Sequence, residues 1–104
     1  MQLSVLERIV LLDILPKEGN FVTLKILRKL RESLSFTEEE IKYYALTIEG
    51  NEFKWSDQVE QVADITIGEK ATDIAAAALK ALDKANKLED RHFSLYEKFV
   101  TTDE

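Results

Sequence analysis

The sequence predicts an α+β fold, loosely winged-helix-like: three N-terminal helices, a small antiparallel sheet and two C-terminal helices. Three observations predict it. Apolar spacing is helical to about residue 34, alternates from about 45, and becomes helical again after Gly68. Thr37 and Glu40 have the spacing of a capping box, in which each side chain satisfies the other's free backbone N–H. Gly50-Asn51 offers two residues tolerant of positive φ between alternating apolar runs, the signature of a tight hairpin. The 104 residues fit one domain, read as a helical part (1–34), a short helix with a small sheet (35–68) and C-terminal helices (69–100).

Residues 3–15 hold nine apolar side chains of thirteen. Leu3, Leu6, Val10 and Ile14 form one stripe, and Val5, Ile9, Leu12 and Leu15 widen it to most of the circumference. Such a helix is usually covered on more than one side, by core or by a partner. Pro16 ends it, because the residue before proline is pushed out of the helical region. Residues 21–34 are amphipathic, with Leu24, Leu27, Leu30, Arg31 and Leu34 on or beside one face, Phe21 and Ile26 flanking. Lys25, Arg28, Lys29 and Glu32 occupy the other face.

At Thr37 the third helix begins, with Phe36 and Ile41 spaced as a hydrophobic staple. It is short and gives way after Tyr43, Tyr44 and Ala45 to a hairpin at about 45–56. A two-residue loop pairs Glu49 with Glu52, Ile48 with Phe53 and Leu46 with Trp55. Leu46, Ile48, Phe53 and Trp55 then share a face expected to pack on the helices. The segment 57–62 reads as a connector, and 63–67 alternates as a third strand. A long helix follows at about 69–86, its inner face predicted as Ile74, Ala75, Ala78, Leu82 and Ala85, with a turn at Asn86-Lys87. The last helix, about 90–100, is predicted to present Phe93, Tyr96, Phe99 and Val100 to the core, before a polar tail.

Charge narrows the function classes. The net charge is −6, but residues 17–34 carry +3 while 35–64 carry −6. The stripe Lys25, Arg28, Lys29 and Arg31 is the place where an anion or an acidic partner could dock; its bland reading is a solvated helix face. A winged helix would set its third helix in the DNA major groove. Here that helix opens with Glu38, Glu39 and Glu40, and Glu49 and Glu52 sit at the hairpin tip. Phosphate attraction dominates DNA affinity, so charge disfavours nucleic acid. A DNA-binding regulator is therefore the alternative reading, not the leading one. Tyr43, Tyr44 and Trp55 concentrate aromatic character near the hairpin and are core or, where exposed, interface anchors.

Little points to catalysis. The chain has no cysteine and one histidine. Glu89 and His92 have one copy of the Glu-x-x-His spacing, whereas helical di-iron sites need two; a surface or capping role suits His92 better. No nucleophile elbow, phosphate-cradling glycine loop or dinucleotide fingerprint occurs. The sequence predicts no cofactor, no metal, no signal peptide and no membrane span.

The stretches "LPKEGNFVTLK" and "HFSLYEKF" resemble a group of small uncharacterised proteins encoded by tailed phages and prophages, over nearly the whole chain. At the position of Glu89 that group often carries a better helix cap such as Thr. The resemblance implies a phage-type accessory protein working in host cytoplasm or in the virion, and brings no activity or catalytic residue with it. Together these readings predict a non-enzymatic interaction protein that self-associates or binds a protein partner.

Overall fold

A computed structural model describes residues 1–50, 52–56 and 62–101. Asn51, residues 57–61 of the predicted connector and the tail 102–104 lie outside the described residues, while Val62, read as connector, belongs to a strand. The α+β class holds: β1 (Gln2–Ser4), α1 (Val5–Ile14), α2 (Phe21–Leu34), α3 (Glu38–Tyr44), β2 (Thr47–Glu49), β3 (Glu52–Lys54), β4 (Val62–Asp64), α4 (Glu69–Lys84) and α5 (Asp90–Tyr96). A π-helical turn, Glu97–Thr101, continues α5.

Local signals account for most boundaries. Ser4 caps α1 by accepting from the Glu7 amide, and Glu7 returns the bond to the Ser4 amide. This capping box starts α1 later than apolar spacing suggests and frees residues 2–4 to be a strand. Asn20 caps α2, and Thr37 with Glu40 forms the expected box at α3. Ala45 ends α3 in the left-handed region at φ 51°, a position where glycine is usual. Asn86, at φ 58°, closes α4 as the Lys87 amide reaches back to the Leu82 carbonyl.

The hairpin forms in the expected register: Thr47 opposite Lys54, Ile48 opposite Phe53, Glu49 opposite Glu52, with Gly50 at φ +61°. The third strand departs from expectation. β4 pairs antiparallel with β1, not with the hairpin, with Leu3 opposite Ala63. There are thus two two-stranded sheets where one three-stranded sheet was predicted. Leu3, expected on a helical stripe, is wholly buried but is delivered to the core by β1.

One buried cluster joins Leu3, Val10, Leu11 and Leu15 with Leu27, Leu30 and Leu34 of α2, and with Ala75, Leu79, Leu95 and Phe99 from the C-terminal helices. Lys98 lies beside Glu7 and Arg91 beside Asp13, so α5 runs antiparallel to α1. Two helical faces are rotated from their predicted setting. On α4, Ala71, Ala75 and Leu79 are buried and Ala85 is exposed. On α5, His92 and Leu95 point inward and Phe93 is 66% exposed, while Phe99 of the π turn is buried as predicted. The small α4 face lets the C-terminal helices approach closely, and that approach selects the face. Leu6 is also exposed, while Val10 of the same predicted stripe is buried. No described helix is long and apolar enough to cross a membrane.

The α4 setting can be checked by paired substitutions. Ala75 is fully buried and Ala77 exposed. Ala75→Leu should cost about 1–3 kcal/mol in urea unfolding by overpacking. Ala77→Leu should change stability by less than about 0.5 kcal/mol. Equal effects would refute the burial of Ala75 and the exposure of Ala77.

Candidate interaction site

The arrangement around the hairpin begins with Arg8. Its side chain is 1% exposed, in the middle of α1. A buried guanidinium is tolerable only when its donors are used. Nε donates to the Leu34 carbonyl at 3.1 Å and Nη2 to the Ser35 carbonyl at 2.7 Å. Nη1 and Nη2 also grip the Glu40 carboxylate at 2.6 and 3.2 Å. The Phe36 ring lies 4.0 Å from the guanidinium carbon, in cation–π geometry. One side chain therefore ties α1 to the end of α2, to the linker and to the first turn of α3.

Glu40 serves two elements at once. Its Oε1 accepts from the Thr37 amide as well as from Arg8. The Arg8 bond holds the Glu40 carboxyl below the usual carboxylate range, against the opposing effect of partial burial, and the Thr37 bonds add to the lowering. A second latch starts from the adjacent residue of α1. The Glu7 carboxylate accepts from Lys98 at 2.7 Å, and Lys98 also donates to the Gln2 carbonyl at 2.8 Å. Burial alone would push the Glu7 carboxyl up, but the bonds from Lys98, the Ser4 amide and Ser94 outweigh it and hold it low.

With α3 fixed by Arg8, the hairpin is fixed in turn. The Leu46 amide bonds the Ile41 carbonyl, and the Ser56 amide bonds the Tyr44 carbonyl at 2.7 Å. Between hairpin, α3 and α1 lies an open groove of about 580 Å³. Its apolar walls are Ile9 and Leu12 of α1, Phe36, Ile41, and Leu46, Ile48 and Phe53 of the hairpin. Asp13 and Arg91 stand at its polar side, 3.7 Å apart. The expectation that the hairpin face packs into the core is corrected here. Leu46 and Trp55 are half-buried, but Ile48 is 66% and Phe53 41% exposed. The hairpin stands beside α1 and α3 across the groove, and the third strand pairs with β1 instead of extending its sheet.

The predicted patch residues separate into two groups. Lys25, Arg28, Lys29 and Arg31 do come together on α2, around a hollow that also includes Phe21, Leu24 and Glu32. Lys25, Arg28 and Lys29 are exposed, whereas Arg31 is half-buried and donates to the Pro16 carbonyl at 2.7 Å, fastening α2 to the preceding turn. Tyr43, Tyr44 and Trp55 lie elsewhere, at the junction of α3 and hairpin. Tyr44 is buried, edge-on to both Phe36 and Tyr43, so it is core; Tyr43 is exposed. No residue of the basic stripe lines the groove. Glu38 and Glu39 are exposed on α3, and Glu49 and Glu52 are exposed at the hairpin tip. The elements that a winged helix would turn toward phosphate thus carry exposed acids.

His92 is buried, not on the surface, and its capping role is clear: Nδ1 accepts from the Glu89 amide at 2.9 Å. That bond leaves the ring proton on Nε2, which is shut from solvent and lacks a hydrogen-bond partner among the described residues. The hollow beside it is lined by both signs of charge (Asp13 and Glu89, Lys87 and Arg91) and by no Ser, Thr or Cys among the described residues. Among the described residues no three His, Cys, Asp or Glu side chains are grouped to hold a metal ion.

Sequence reasoning missed Arg8, Glu7, Ile9 and Leu12 as site-building residues. Ser4-x-x-Glu7 repeats the Thr37-x-x-Glu40 spacing and would have revealed the α1 start. Arg8 within an apolar run was a second available signal, since a charge there must find partners. Compared with protein-family models, curated proteins and solved structures, the chain matches none of them.

Two expectations test the latches. Arg8→Met keeps bulk but strands Glu40 and two carbonyls, and should cost about 3 kcal/mol in urea unfolding. Arg8→Lys should lose most of that too, because one ammonium cannot reproduce the fork. The depressed Glu7 and Glu40 carboxyls stabilise the fold fully above their unfolded value, near 4.5, and lose that contribution as pH falls through their lower folded values. The urea midpoint should therefore drop steeply below about pH 4.5. A Glu7→Gln/Glu40→Gln variant should show a shallower fall; an unchanged slope would contradict the pairing.

Proposed function

We propose that this chain is a non-enzymatic interaction protein that acts through self-association, a phage-type accessory protein of the cytoplasm or the particle. The observation that carries the reading is the uncovered apolar face of the hairpin, Ile48 and Phe53, closing an apolar groove against α1 and α3. Contiguous exposed apolar surface of this sort marks an interaction site more often than a free surface. Segregated charge supports the same reading: a basic stripe on α2 and acids on α3 and the hairpin give one molecule two complementary faces. The sequence resemblance to phage-encoded proteins supports the accessory role.

Light scattering coupled to size exclusion tests self-association. The expected mass exceeds the 12.0 kDa of one chain, rises with protein concentration and falls with added salt. A mass of 12.0 kDa at every concentration would overturn the reading.

A further inference from the structure

The first turn of α2 is unusual. Phe21 is 81% exposed and its neighbour Val22 59%, the former the most exposed large apolar side chain among the described residues. They stand beside Lys25, Arg28 and Lys29, and exposed Lys17 precedes them. Exposed Glu18 and Glu32 lie there too, so this is an apolar knob set in net positive charge. Diagonally different in character is the groove of about 580 Å³: an apolar socket, with Asp13 at its side and Glu38, Glu39, Glu49 and Glu52 exposed on the elements that build it. The basic groups on those elements offset part of this: Lys54 and Arg91 neutralise Glu49 and Asp13, and exposed Lys42 offsets one of Glu38, Glu39 and Glu52, which leaves the rim net negative. Arg8 is buried against Glu40, Lys54 is paired with Glu49 at 2.8 Å, and Arg91 faces Asp13 and Glu89.

We propose that the occupant of the socket is a second copy of this chain, which inserts Phe21 and Val22 and lays its basic α2 stripe against the acidic α3 and hairpin. This rests on the self-association reading and gives it direction. Charge complementarity favours this occupant over two alternatives. Nucleic acid would meet the acids of the socket. A socket-to-socket dimer would bring two acidic rims together, which like-charge repulsion penalises. Knob and socket share no lining residue, so one molecule can engage a neighbour through each. A single contact of this kind is heterologous and closes into a ring or extends as a filament, whereas a reciprocal pair of such contacts closes a two-fold dimer.

The test uses two full-length variants at exposed positions, each checked by circular dichroism and melting temperature. Phe21→Asp removes the knob and keeps the socket; Ile48→Lys blocks the socket and keeps the knob. Each alone should associate at least about tenfold more weakly than the wild type in sedimentation equilibrium, as loss of a central apolar anchor does. Mixed at equal concentration, they should form a 1:1 dimer of two 12.0 kDa chains and nothing larger, since one good knob meets one good socket. Wild-type assembly that both variants leave intact would overturn the docking while sparing self-association. Variants that are monomeric alone and stay so when mixed would overturn the head-to-tail direction. A monomeric wild type would overturn both this proposal and the reading beneath it.

Discussion

The structure depends on the buried guanidinium of Arg8. A charged fork inside a protein must find acceptors or unfold its surroundings. Arg8 finds them in two carbonyls at the end of α2, in the carboxylate of Glu40 and in the face of Phe36. The geometry of residues 34–40 is thereby set from α1 and not by the linker itself. Glu40 transmits the constraint, because the same carboxylate caps α3. Planar, multi-point recognition of this kind is particular to arginine, and it converts a costly buried charge into a fixed angle between helices.

The other end of the chain is held by a similar device of smaller reach. Glu7 caps α1 and receives Lys98 from the turn beyond α5. In both latches a capping-box glutamate doubles as an ion-pair partner. The coupling makes helix starts and tertiary contacts cooperative: losing the pair weakens the cap, and losing the cap lets the pair move. β1 and β4 add a backbone clasp beside this second latch, drawing Leu3 into the core. The hairpin takes no part in either latch. It is held through the end of α3, which leaves its apolar face open toward α1.

That open face turns a stability problem into an interaction surface. Ile48 and Phe53 gain a little from pairing with each other across the hairpin, yet 66% of Ile48 and 41% of Phe53 stay in water. Phe21 and Val22 stand in the same condition at the start of α2. Burying both sets against each other would relieve both costs, and the opposite charges around them would orient the encounter.

The sequence by itself determined the elements whose signals are local. α2, the Thr37 start of α3, the hairpin register and the Asn86 turn depend on side chains and backbone groups within a few residues of each other. Those interactions hold whatever the rest of the chain does. Tertiary structure decided what depends on distant partners. Leu3 meets Ala63 across sixty residues of chain, and nothing in either short segment specifies the other. The facing of α4 and α5 was decided by close packing of small residues, which put His92 inside and Phe93 outside against the simplest apolar pattern. The groove was decided last, because an apolar hairpin face looks the same in sequence whether a core covers it or not.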